Sequence, residues 1–257
     1  MIFYFSATGN TRWAANKLSQ LLHDKLIYIP SALQGDCIFD LAPDEPVGFV
    51  FPIHGWRPPK IVREFINRLQ LRSEGSEQRF IYSIVTAGDD IGMTMNILAK
   101  DLSRKGLTLR SGYSIIMPNT YVGLPMMDVD TPDHTKSKKK KAADRLMEVA
   151  EQIMKRKPIY KIKEGSFPRT KSYIIGEYFV KRLINDQKFW VDDERCIKCG
   201  ICANVCPVND IAGGHGQKPT WLHNDSCLTC FNCYHHCPRH AIEFGRFTKK
   251  KGQYFYT

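Results

Sequence analysis

The chain has 257 residues, of which 43% are hydrophobic and 25% charged, with a formal net charge of +11. That length exceeds one small domain and suits two. No run of about 18 apolar residues occurs, which argues against a membrane span. The opening MIFYFSATGN has neither a basic leader nor a small-residue cleavage site, so a cytoplasmic protein is expected. Eight of the nine cysteines fall in one segment at metal-ligand spacing, which argues against a disulfide framework. The ninth, Cys37, stands alone and reads as a buried, inert thiol.

From residue 1 to 157, strand-like apolar runs alternate with helical patterns. Strands are expected over 2–5, 26–29, 47–51, 80–86 and 113–117, and helices over 11–23, 59–69, 93–105 and 137–157. That alternation predicts an α/β domain with a doubly wound, five-stranded parallel sheet. Residues 158–187 read as a connection. A polar stretch over 161–170 precedes an amphipathic helix over 172–186, whose Ile174, Ile175, Tyr178, Phe179, Arg182 and Leu183 are expected to pack on one domain or both. Residues 188–257 form a third region, ending in a basic tail.

The first strand runs into Ser6, Ala7, Thr8, Gly9, Asn10 and Thr11 at the start of a helix. Three hydroxyls, a glycine that lets the backbone approach closely and the open N–H groups of a helix start make a phosphate loop. No Gly-Lys-Ser/Thr follows, so it is not a Walker A loop, and the dinucleotide fingerprint Gly-x-Gly-x-x-Gly is absent. The strand, Ser6, Gly9, Thr11, Ala15 and Leu18 resemble the N-terminal signature of the flavodoxin family. That resemblance implies a sheet of order 2-1-3-4-5 with flavin mononucleotide (FMN) at the strand C-terminal ends. It also implies that two later loops hold the flavin ring. One comprises Pro52, Ile53, His54, Gly55 and Trp56, with Trp56 stacking on the ring. The other comprises Thr86, Ala87, Gly88 and Asp89. This second loop lacks the aromatic residue common in the family; Tyr121 is a substitute cover. His54 is the candidate proton donor, or else a residue that fixes its loop.

The third region holds one internal repeat. Residues 196–207 and 227–238 each read Cys-x2-Cys-x2-Cys-x3-Cys-Pro. Three closely spaced thiolates can wrap a cubane so that each reaches a different iron, whereas zinc ribbons lack the third cysteine and the Cys-Pro ending. The region resembles the bacterial-type 2[4Fe–4S] ferredoxins, small α+β domains. The resemblance implies crossed wiring, with Cys196, Cys199, Cys202 and Cys237 on one cluster and Cys206, Cys227, Cys230 and Cys233 on the other.

The whole chain therefore resembles the flavodoxin–ferredoxin fusion family. The implied activity is oxidoreductase chemistry that passes single electrons between two [4Fe–4S] clusters and FMN and reduces a small organic substrate. The alternative is an electron carrier between protein partners. The basic excess, including Lys136, Lys138 to Lys141 and Lys249 to Lys251, suits solvated faces or a low-potential acidic redox partner such as a ferredoxin or flavodoxin, rather than nucleic acid or a membrane.

Overall fold

A computed structural model of the chain describes residues 1–72 and 79–256. The elements of the N-terminal unit run β1 (Ile2–Tyr4), α1 (Asn10–Leu22), β2 (Leu26–Tyr28), α2 (Ile29–Ala32), β3 (Ile38–Asp40), β4 (Val47–Pro52), α3 (Lys60–Arg68), β5 (Gln70–Arg72), β6 (Ile81–Ala87), α4 (Thr94–Ser103), β7 (Leu109–Ile116), α5 (Pro132–Met154) and β8 (Tyr160–Lys161). The main sheet has the order β2-β1-β4-β6-β7-β8, and every neighbouring pair is parallel. Its first five strands reproduce the expected order 2-1-3-4-5. Strands such as Val47–Pro52 and Ile81–Ala87 are apolar almost throughout because helices cover both sheet faces. Alternate residues feed two cores. Phe3, Phe49, Phe51 and Val85 pack toward α3 and α4, while Ile2, Val50, Tyr82, Ile84 and Tyr113 pack toward α1 and α5.

The expectation of five strands is corrected to six. Tyr160–Lys161, at the edge of the supposed linker, pairs with Gly112 and Tyr113. Two residues leave no detectable period in a sequence, so β8 was invisible. A separate β3–β5 ladder was likewise not expected. Helix α5 starts five residues before the expected 137, because Pro132 occupies its first turn and the Thr131 hydroxyl accepts from the His134 N–H at 3.4 Å.

The connecting helix, α6 (residues 170–183), contains wide turns in which the Gly176 N–H donates to the Lys171 carbonyl. Its orientation meets the expectation only in part, since Phe179 packs on Gly55 and Tyr121 while the other expected contacts largely face solvent. Ser172 and Gly176 are buried, whereas Ile174 is 67% and Tyr178 61% exposed. Close approach explains this. A Cβ on Gly176 would lie 2.1 Å from the Gly55 carbonyl oxygen. The Ser172 hydroxyl donates to the Trp56 carbonyl at 2.9 Å and accepts from the Met93 N–H at 2.8 Å. Buried Arg57 ties the helix down further, donating to the Ser172 carbonyl at 2.9 Å and pairing with Glu177 at 2.5 Å.

The C-terminal unit contains β9 (Phe189–Val191), α7 (Ile201–Asn204), β10 (Ile211–Gly214), β11 (Gln217–Trp221), α8 (Asn232–His235) and β12 (Ile242–Phe244). Two antiparallel pairs, β9–β12 and β10–β11, flank a core built on Phe189, Trp221, Phe231, Tyr234 and Phe244. This is the expected small α+β arrangement. The two units share apolar packing. Leu228, only 2% exposed, belongs to the N-terminal core, and Val208 and Cys230 pack against that core.

Candidate functional site

The eight repeat cysteines gather in two groups. Cys196, Cys199, Cys202 and Cys237 line one small hollow together with Pro219, Pro238 and Ala241. Lys198 and Gly200 adopt left-handed conformations (φ 56° and 77°), which turns the chain sharply between these thiols. In the other group, Cys227 and Cys233 are buried in the C-terminal core with Cys206 packed against it, and Cys230 packs on the N-terminal core. Cys202 of the first group lies in the same C-terminal core, so the two groups are neighbours. Burial pushes the Cys202 thiol up to about 11 and the Cys230 thiol up to about 12, and it raises Cys206, Cys227 and Cys233 as well. These five thiols therefore stay protonated when metal-free, and metal binding there must release protons.

Backbone N–H groups already point at the sulfurs. Asp210 donates to Cys206 at 3.3 Å, Thr229 to Cys227 at 3.4 Å and Ala241 to Cys237 at 3.2 Å. Such donors favour thiolate and tune a bound centre. Among the described residues no three His, Cys, Asp or Glu side chains close on one point as the ligands of a single ion do. The first group instead rings a hollow. Four soft donors per group, with Cys206, Cys227 and Cys237 bonded by backbone amides, fit a pair of iron–sulfur clusters.

At the other candidate site, Gly9 (φ 95°) opens α1, with no side-chain cap and no acidic residue in the first turn. The first N–H groups are thus left to an incoming anion. Ser6, 1% exposed, has a hydroxyl with no hydrogen-bond partner among the described residues. Thr8, Asn10 and Thr11 are buried beside it. The Thr11 hydroxyl meets that of Thr86 at 2.7 Å, which locks the loop to the end of β6, and Ala7 packs on the core below. An orphaned buried hydroxyl beside an uncapped helix start fits a phosphate group.

The loop after β4 is held equally firmly. The Ile53 N–H donates to the Thr86 carbonyl at 3.2 Å, and the His54 N–H to the Arg57 carbonyl at 2.9 Å. Between them, Gly55 and Trp56 are both left-handed (φ 59° and 56°). Left-handed Trp is strained, which is a mark of a functional turn. The Trp56 ring lies near Lys171, whose Nζ stands 5.5 Å from its centroid. His54 Nδ1 is buried with no partner among the described residues. Burial, and then the Lys60 charge, push the His54 pKa down to about 4, so the ring is neutral near pH 7.

After β6, Gly88 lies against Asn119; a Cβ there would be 1.7 Å from Asn119 Oδ1. Asp130 accepts from the Asn119 amide at 2.9 Å and pairs with Lys138 at 2.7 Å. Asp89 is not brought in with its neighbours. Its carboxylate is exposed and paired with Lys163 at 2.6 Å, while buried Asp90 pairs with Lys171 at 2.6 Å.

Several residues that connect the sites were missed by sequence reasoning. Lys60, whose charge helps to lower the His54 pKa, donates from Nζ to the Asp225 carbonyl, two residues before Cys227. Tyr28 donates to the Ser6 carbonyl at 3.2 Å. Tyr121, which the sequence already offers as cover for the ring, meets Phe179 edge-on at 5.4 Å and Phe231, inside the second cysteine run, at 5.3 Å. Nothing local marks Lys60, since its meaning depends on a contact made 165 positions away.

Residues 188–238 match the family model described as a 4Fe-4S dicluster domain. This stretch is therefore an iron–sulfur domain. No curated protein matches the chain. Among solved structures, the chain is similar to the rubredoxin oxygen:oxidoreductase from the anaerobe Desulfovibrio gigas, with 15% identity and a TM-score of 0.31. The similarity covers 59% of this chain and 36% of that one, so the chain spans about a third of that protein's length, and no property is transferred at this distance. What stands is a chain in which a 4Fe-4S dicluster domain packs on an α/β unit of flavodoxin-like strand order.

Proposed function

We propose that the chain is an electron-transfer protein in which two [4Fe–4S] clusters and FMN share one scaffold. The observation that carries this is the packing of the second cysteine run on the N-terminal core: Leu228 is buried in it, and Cys230 packs against the same core as Ala7 and Ile53 of the two candidate flavin loops. When bound, the clusters supply one-electron transfer, and the flavin supplies one- or two-electron chemistry. Cys196, Cys199, Cys202 and Cys237 would hold the outer cluster, and Cys206, Cys227, Cys230 and Cys233 the inner one. Ser6 and Thr8, with the first N–H groups of α1, would take the phosphate. The loops at Pro52–Trp56 and Thr86–Gly88 would position the ring, and Phe179, Tyr121 and Phe231 would exclude water.

Delivery to a protein acceptor is favoured over reduction of a small substrate. Helix α6 already covers Gly55 and Trp56, and neutral His54 is a poor acid near pH 7. The partner would be a low-potential electron donor or acceptor with an acidic face.

The test is anaerobic isolation, with iron, sulfide and flavin counted per chain, followed by stopped-flow reduction with a low-potential one-electron donor. Roughly eight irons and one FMN are expected. In a Cys199→Ala variant shown to have lost iron, flavin bleaching should slow. Equal rates in the two proteins would overturn the shared circuit.

A further inference from the structure

Residues 253–256 lie across the outer side of the loop that opens α1. The Tyr256 N–H donates to the Thr8 carbonyl at 2.8 Å. A Cβ on Gly9 would stand 2.7 Å from the Tyr256 carbonyl oxygen, so the two backbones touch where Gly9 is left-handed. The Tyr254 hydroxyl donates to Asn10 Oδ1 at 3.1 Å, and Asn10 in turn donates from Nδ2 to the Pro118 carbonyl at 2.9 Å. The Tyr256 ring stacks on Trp13 of α1 at 5.4 Å, and Lys139 of α5 places its Nζ 4.0 Å from the same ring. At its other end the segment hangs from the second cysteine run. The Tyr254 N–H donates to His235 Nδ1 at 3.2 Å, and Gln253 donates to the Cys237 carbonyl at 2.9 Å.

These contacts bear on one thing, the shape of the turn through Thr8, Gly9 and Asn10. How well an uncapped helix start binds an anion depends on how firmly its N–H groups are aimed before the anion arrives, since a loop ordered by its ligand loses affinity to that ordering. A loop clamped from outside gives up less. Among the described residues, no hydrogen bond or ring contact joins this segment to the loops at Pro52–Trp56 and Thr86–Gly88.

We propose that Tyr254 and Tyr256 are positioning residues of the phosphate loop, and that through it they set a preference for the phosphorylated flavin over riboflavin. This rests on the reading of the loop as a flavin site.

The test is titration of the full-length, iron-loaded chain with FMN and with riboflavin, read by flavin fluorescence. The double variant Tyr254→Phe/Tyr256→Leu should bind FMN about tenfold more weakly while riboflavin affinity stays within about twofold. Tyr254→Phe alone, which keeps the ring and loses only the hydrogen bond to Asn10, should weaken FMN by about threefold. Unchanged FMN affinity in both variants, or equal losses for both flavins, would overturn the proposal. A wild-type chain that binds neither flavin would instead remove the flavin site itself.

Discussion

Thr11 Oγ1 lies 2.7 Å from Thr86 Oγ1, so the loop after β1 and the end of β6 are joined by a hydroxyl pair at the mouth of the candidate phosphate site. Thr11 is therefore already occupied, whereas Ser6 Oγ has no partner among the described residues. The two positions should respond differently to alanine. Ser6→Ala removes an unsatisfied buried hydroxyl and should leave the flavin-free protein as stable as before or slightly more so. It should weaken FMN binding by roughly 1.5 to 3 kcal/mol, the worth of a hydrogen bond to a charged group. Thr11→Ala strands the Thr86 hydroxyl and should lower stability by about 1 kcal/mol. Thermal unfolding and fluorescence titration separate the two effects, with iron content as the control.

Gly176 gives a sharper steric test. Alanine there places a methyl group 2.1 Å from the Gly55 carbonyl oxygen, which is backbone and cannot swing away. Helix α6 must then lift off the loop. The expected loss is about 1 to 3 kcal/mol, seen as a lower unfolding temperature. An unchanged melting curve would mean that the helix is not seated as described.

His54 should report through pH. Its folded pKa of about 4 lies below the usual value of 6.5, because burial disfavours the charged ring. Between those values the unfolded chain binds the extra proton and the folded chain does not. The His54 contribution to stability is thus complete above about pH 6.5 and is lost as the pH falls toward about 4. Flavin-free protein should lose stability over that window, and His54→Phe should shallow the slope. An equal change in unfolding free energy between pH 7 and pH 5 for wild type and His54→Phe, read from denaturant titrations, would contradict the placement of this ring.

Leu228→Ala tests the joint between the units. A fully buried leucine truncated to alanine costs about 2 to 5 kcal/mol. Because Leu228 sits in the N-terminal core, the loss should appear in tryptophan and far-ultraviolet signals from both units in one transition. Two separate transitions, with only one shifted, would argue that the units unfold independently.

Much of the fold was legible because its signals are local. Apolar runs such as Val47–Pro52 and Ile81–Ala87 announce buried parallel strands, and the cysteine spacing announces its chemistry without reference to anything else. The turn at Ser6–Thr11 was legible for the same reason. What failed depended on distance. Helix α6 shows its aliphatic stripe to solvent because glycine and serine allow closer contact with Gly55 and Trp56 than isoleucine would, and no period in the helix itself reveals that neighbour. Asp89 was grouped with the cofactor loop by adjacency alone, but Lys163 draws its carboxylate outward. The aromatic cluster Tyr254, Phe255 and Tyr256 was read as part of a basic tail, because the loop it embraces lies about 245 positions away in the chain.

The position of Leu228 reaches beyond packing. It follows Cys227 directly and precedes Cys230 by two residues, yet its side chain completes the core of the other unit. The peptide that presents this leucine is short and thiol-rich, so metal bound at its cysteines would also brace the leucine. Losing that metal would then loosen one wall of the N-terminal core together with the cluster site, and local opening of this kind is where proteases enter.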